Sequence, residues 1–177
     1  MPALKILIIP GSVRTGSLNA RLAAVAAHEL VQSGAEVTRI SLSDFPLPIY
    51  DGDLQAKSGV PKHAVNLKRM IGAHHGVLIV TPEYNASVPA LVKNTIDWIS
   101  RVQDPHESRG QVFRERVFAI AAASGNRLGG AGQIERHDQA VLRRDIGWLH
   151  LTSHHALGLI DQLPHHRFQC FDVGRMF

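Results

Sequence analysis

The chain of 177 residues holds one cysteine, Cys170, so no internal disulfide can staple it and the fold must rest on buried apolar surface. No secretory leader is visible at its start, and with a lone cysteine this points to a reducing, cytoplasmic setting. No apolar run approaches the roughly 18 residues that a membrane-spanning helix needs, so no membrane partner is expected. Several chemistry-bearing patterns are also missing. Without G-x-x-x-x-G-K-S/T the P-loop nucleotide reading fails, and without G-x-G-x-x-G a dinucleotide pyrophosphate is a poorer fit than one terminal phosphate. The histidines His150, His154, His155, His165 and His166 crowd one part of the chain, but no H-E-x-x-H and no cysteine at ligand spacing accompany them, so no metal site is assigned. Ser124 has no G-x-S-x-G elbow, and Cys170 has no arginine-bearing phosphate loop, which disfavours a serine hydrolase and a cysteine phosphatase. Repeats, low-complexity tracts and linkers are absent, so residues 1–177 are expected to form a single domain.

What is present is an ordinary globular composition, 45% hydrophobic and 19% charged, with a formal charge of +4. The basic residues are scattered rather than clustered, which favours small anionic ligands at least as much as nucleic acid, and no nucleic-acid partner is expected. The chain is organised around Ile6 to Asn19, ILIIPGSVRTGSLN. Lys5 to Pro10 is a short, unbroken apolar run, the pattern of a parallel strand buried on both faces. A helical stripe follows, carried by Leu18, Leu22, Val25, Ala26 and Leu30, with Gly34 ending it as a cap. Between them Gly11, Ser12, Thr15, Gly16 and Ser17 supply hydroxyls and free backbone N–H groups at a helix start, and Arg14 adds a planar cation. This is an anion cradle.

Further strands are expected at Glu36–Ser41, Val77–Thr81 and Arg116–Ala123, and helices after Pro61 and Pro89. Alternation of strands and helices predicts an α/β domain with a parallel sheet. Asp44 to Gly59, broken by Pro46, Pro48, Gly52 and Gly59, reads as a long surface loop. Thr81 to Arg101, TPEYNASVPALVKNTIDWISR, hangs on the third strand. In open parallel sheets ligands bind beyond the carboxyl ends of the strands, so the first and third loops should face one site. Glu83, Tyr84 and Asn85 offer an aromatic ring, an amide and backbone donors suited to a flat heteroaromatic ring.

GSVRTGSLN, TPEYNASVP with LVKNTIDW, and SGNRLGG at Ser124 to Gly130 resemble the signature stretches of the NADPH-dependent FMN reductase family, the flavodoxin-like quinone, chromate and azo-dye reductases. That resemblance implies a three-layer α/β/α sandwich around a five-stranded parallel sheet. It also implies that Ser12, Arg14, Ser17, Leu18 and Asn19 hold the phosphate of FMN. Pro82, Glu83, Tyr84 and Asn85 would line the isoalloxazine edge, and Ser124, Gly125 and Arg127 would close the site. No side chain is assigned as a catalytic base, because hydride would pass from NADPH or NADH to flavin N5 and then on to a quinone, an azo compound or a metal oxyanion. The alternative is a flavin module that carries electrons or senses redox state without catalysis; such carriers tend to be acidic, whereas this chain is basic.

The family pattern continues past FDVGR, Phe171 to Arg175, into one more helix, yet here Phe177 ends the sequence. The missing helix would leave part of one sheet face uncovered. The expectation is therefore that the stretch from Leu157 to Phe177 or a second subunit covers it, giving an obligate homodimer or homotetramer. The Asp44–Gly59 loop and a helix after Gly130 are the candidate contact surfaces.

Overall fold

Lys5–Pro10 forms β1, and its last four residues are buried, as an uninterrupted Ile/Leu run requires. In the computed structural model, which describes residues 2–85, 87–108 and 110–123 and the backbone of 171–172, β1 lies between two parallel neighbours. β2 (Glu36–Arg39) pairs on one side, with Ile6 opposite Val37, and β3 (Gly76–Val80) on the other, with Ile8 opposite Leu78. β4 (Val117–Ala121) continues the parallel ladder beyond β3, with Val80 opposite Ala121.

The order is β2-β1-β3-β4-β5. The fifth strand corrects the expectation of five parallel strands. β5 (Phe171–Asp172) is two residues long and runs antiparallel to β4, opposite Ile120 and Ala119. A short antiparallel edge on a parallel sheet needs no crossover helix. The additional helix, the tail contacts and the helix after Gly130 fall outside the described residues.

Side chains alternate across the sheet, and each face has its own core. Leu7, Ile9, Val77, Ile79, Phe118 and Ile120 pack against Leu67 and Ile71 of α3 (Lys62–Ala73), Val92 and Ile99 of α4 (Ala90–Ile99), and Val112 and Phe113 of α5 (Gln111–Arg114). Ile8, Val80 and Ala121 on the opposite face meet Leu22 and Ala23 of α1 (Leu18–Gln32), with Leu18, Ala26 and Leu30 alongside. Helices on both faces make a three-layer α/β/α domain. Gly34 ends α1 as expected. Its φ of +87° lies in the left-handed region, its N–H donates to Val31 O (2.9 Å), and the N–H of Ala35 reaches Leu30 O (3.0 Å).

Asp44–Gly59 is more ordered than a surface loop. A 3₁₀ turn at Leu42–Asp44 runs into its start, and it contains α2 (Gly52–Ser58). Asp51 Oδ1 accepts from the N–H of Asp53 (2.7 Å) and Leu54 (3.2 Å), a cap strong enough to begin a helix after the Pro-rich stretch. Phe45 and Leu47 pack against the core, while Ile49 is 76% exposed. The stretch is tied down by α4: Trp98 Nε1 and Asn94 Nδ2 both donate to Pro48 O (2.7 and 2.9 Å), and Asn94 Oδ1 accepts from Tyr50 N–H (2.8 Å). Asn94 and Trp98 are four residues apart, hence on one helix face. This is the structural use of LVKNTIDW, which spacing alone did not reveal.

Candidate functional site

From β1 the chain crosses by α1 to β2 on one side, and from β3 it crosses by α4 to β4 on the other, so the connections part between β1 and β3. This is the switch point of a 2-1-3-4-5 sheet, where a crevice opens at the carboxyl edge. The two loops there are joined at their roots. The N–H of Gly11 donates to Val80 O (2.8 Å), and that of Thr81 to Ala121 O (2.8 Å). At Gly11 a Cβ would lie 2.5 Å from Thr81 Oγ1 and 2.6 Å from Val92 Cγ2. Only a residue without a side chain lets the first loop pass this close to β3 and α4.

Beyond Gly11 the chain bends through Gly16, at φ +71°, into the cap of α1. Ser17 is buried; its N–H donates to Arg14 O (3.1 Å) and its Oγ accepts from Ala20 N–H (3.4 Å). Leu18 and Asn19, the first two helical residues, have N–H groups beyond the reach of the helix's own carbonyls. The N–H groups of Ser12, Val13, Thr15 and Gly16 likewise find no acceptor among the described residues. Arg14 is exposed, reaches only Thr15 O (3.4 Å), and pairs with no carboxylate among the described residues. Open donors, a guanidinium with no carboxylate partner among the described residues and the positive end of a 15-residue helix are chemistry that favours an anion.

The third loop is built differently. Tyr84 and Ser87 exchange two backbone hydrogen bonds (2.8 and 3.1 Å) around Asn85, which takes a left-handed φ of +54° that asparagine tolerates better than most residues. The Tyr84 side chain stands 54% exposed beside this turn. Pro82 is half-buried and accepts at its carbonyl from Thr81 Oγ1 (3.1 Å). Glu83 Oε2 is buried with no donor among the described residues.

The first and third loops thus bring Ser12, Arg14, Ser17, Leu18 and Asn19 to the same edge of the sheet as Pro82, Glu83, Tyr84 and Asn85. The Asn19 side chain, however, is already used. Its Nδ2 donates to Ala123 O (3.0 Å) and its Oδ1 accepts from Ala123 N–H (2.8 Å), which commits the carboxamide oxygen and one of its two amide hydrogens to the backbone after β4. Ser124, Gly125 and Arg127 lie outside the described residues.

A second polar cluster sits at the opposite end of the sheet. The nearly buried Lys68 bonds Asp104 Oδ2 (2.7 Å) and Glu107 Oε2, holding residues 101–108 against α3. Burial pushes the Lys68 ammonium down, but the hydrogen bonds and charges of Asp104 and Glu107 outweigh it and hold its pKa above 10.5. The hydrogen bond and charge of Lys68 hold the Asp104 carboxyl below its ordinary value. A cavity of about 170 Å³ adjoins them, lined also by Arg69 and Arg116. Arg116 precedes the amino end of β4, far from the switch point, and these ion pairs serve the fold.

Residues 4–155 match the NADPH-dependent FMN reductase family. The chain belongs to that family. A quinone reductase of Escherichia coli K12 is 37% identical over 129 residues, covering 72% of this chain and 64% of its own length. An NAD(P)H-dependent FMN reductase of Pseudomonas aeruginosa is 38% identical over 128 residues, with the same coverage of 72% and 64%. This FMN reductase family chain therefore spans under two thirds of the length of those relatives. Among solved structures, the flavoenzyme NAD(P)H:(acceptor) oxidoreductase FerB of Paracoccus denitrificans superposes with a TM-score of 0.58 at 28% identity, over 80% of this chain and 72% of that one. Among the described residues no helix is long and apolar enough to cross a membrane.

Proposed function

We propose that this protein is an NAD(P)H-dependent FMN oxidoreductase that reduces a small acceptor such as a quinone, an azo compound or a metal oxyanion. The observation that carries the proposal is the donor-rich, carboxylate-free cradle at the start of α1, set at the switch point beside the Thr81–Ser87 turn. The cradle fits one terminal phosphate. Open N–H groups of Ser12, Val13, Thr15, Gly16, Leu18 and Asn19, the hydroxyls of Ser12 and Ser17 and the Arg14 guanidinium can hold a dianion. The turn fits a flat ring. Pro82, Glu83, Tyr84 and Asn85 offer its edge a wall, an exposed aromatic side chain and a carboxylate oxygen with no donor among the described residues.

FMN, held by the cradle and the Thr81–Ser87 turn, would supply two-electron redox chemistry between a nicotinamide and the acceptor. The protein's part is to hold the phosphate, orient the ring and keep one face open, so no general base is assigned. Ser124, Gly125 and Arg127 complete the proposed site. The reading extends to a single domain, a cytoplasmic location and a homodimer or homotetramer. The lone cysteine supports the location, and the 76%-exposed Ile49 beside the anchored Pro48 supports the assembly.

The visible spectrum of the purified protein with FMN, followed by anaerobic addition of NADPH or NADH, tests the activity. Bleaching of the flavin bands within one turnover, and their return when a quinone is added, is the expected result. A bound flavin that neither nicotinamide reduces would instead indicate an electron carrier.

A further inference from the structure

The Asn19–Ala123 pairing ties the first turn of α1 to the segment that follows β4. Asn19 is 3% exposed and Ala123 7%, and the two hydrogen bonds between them (3.0 and 2.8 Å) form a closed amide-to-peptide ring. The ladder explains why it is needed. β3 and β4 stay paired as far as Thr81 N–H to Ala121 O, after which the next parallel rung would send Ala123 N–H to Thr81 O. That rung is not made, because the strands part where the crevice opens. Two backbone groups of Ala123 would then be buried without partners, at a cost of about 1–3 kcal/mol each. The Asn19 carboxamide, which presents one donor and one acceptor in the geometry of a peptide group, satisfies both.

We infer that Asn19 is a positioning residue which, from the first turn of α1, fixes the carboxyl end of β4 on the ring side of the site, and that its side chain is not a phosphate ligand. The inference rests on the FMN reading for its consequences but not for its geometry. Through Asn19 one helix turn serves both ends of the ligand: its N–H groups face the cradle, and its side chain sets where the chain leaves β4 toward Ser124.

The test compares FMN with riboflavin, which lacks the phosphate, on the flavin-stripped protein. Asn19→Ala is expected to weaken both flavins by the same factor, roughly tenfold for the loss of a buried two-bond pairing. It should also shift the visible bands of bound flavin and speed amide hydrogen exchange at Ala123 in the flavin-free protein. Arg14→Ala should weaken FMN alone. Loss of FMN affinity with riboflavin binding intact in Asn19→Ala would make Asn19 a phosphate ligand and overturn the inference. So would a lowered melting temperature with both affinities and the flavin spectrum unchanged, the mark of a merely structural residue. If Asn19→Ala does not fold, Asn19→Gln keeps an uncharged carboxamide but displaces it by one methylene from Ala123, and the same equal-factor loss is expected. Should the unaltered protein bind neither flavin, the proposed function fails, while the exchange rate of Ala123 still decides whether the pairing holds β4.

Discussion

The loops after β1 and β3 leave the same edge of one sheet, yet they treat their backbone in opposite ways. Among the described residues the N–H groups of Ser12, Val13, Thr15, Gly16, Leu18 and Asn19 are left open around an Arg14 that pairs with no carboxylate, and Ser17 Oγ caps the helix at Ala20 N–H. From Tyr84 to Ser87 the backbone closes on itself, and what has no partner among the described residues is an acceptor, Glu83 Oε2. An open donor loop suits charge, whereas a closed turn with an exposed Tyr84 offers a rigid edge and a flat surface. On the proposed function this contrast would divide the ligand, with the phosphate at the first loop and the ring at the third.

The substitution that should disturb both loops most is Gly11→Ala, because the new methyl would meet Thr81 and Val92, which are 0% and 4% exposed. Overpacking at so confined a joint should cost about 3 kcal/mol of stability, visible as a lower urea midpoint, and should impair FMN binding at the same time. Arg14→Ala sharpens the contrast. Loss of a charge-assisted phosphate contact of about 1.5–3 kcal/mol should raise the FMN dissociation constant roughly ten- to a hundredfold in a fluorescence titration, with riboflavin unaffected. Tyr84→Ala should do the reverse, changing the flavin reduction potential or the rate of reduction by NADPH while altering FMN affinity less than Arg14→Ala.

Much of this was legible in the sequence because it rests on local chemistry. β1 is bounded by a continuous apolar run, α1 by Ser17 and Gly34, and the cradle by its small and hydroxylated residues. What could not be read depends on long-range partners. Asn19 looks like one more polar residue at an anion site until Ala123, 104 positions away, is seen to occupy its side chain. Asn94 and Trp98 read as a helix face, yet their shared acceptor is Pro48, and the helix at Gly52–Ser58 is hidden among prolines and glycines that signal a loop. Lys68 carries no sequence mark of burial, since its carboxylates, Asp104 and Glu107, arrive from a later turn.

That last cluster gives the smallest expected effect and a control for the two loops. Asp104 has a lowered pKa in the folded state, so its contribution is present above the ordinary value of 3.8 and is lost as pH falls through the folded value. Lys68 has a raised pKa, so its contribution is present below 10.5 and is lost as pH rises through the folded value. Asp104→Asn should lower the melting temperature slightly at neutral pH, with the difference from the unaltered protein shrinking in acid below pH 3.8, and should leave FMN affinity unchanged.

The division of the ligand between the two loops is tested most directly by titrating the flavin-stripped protein with FMN and riboflavin in the same buffer. The account predicts that FMN binds roughly ten- to a hundredfold more tightly, the worth of a phosphate held by the first loop. Equal affinity for the two flavins would show that the open donors from Ser12 to Asn19 hold no phosphate, and would contradict it.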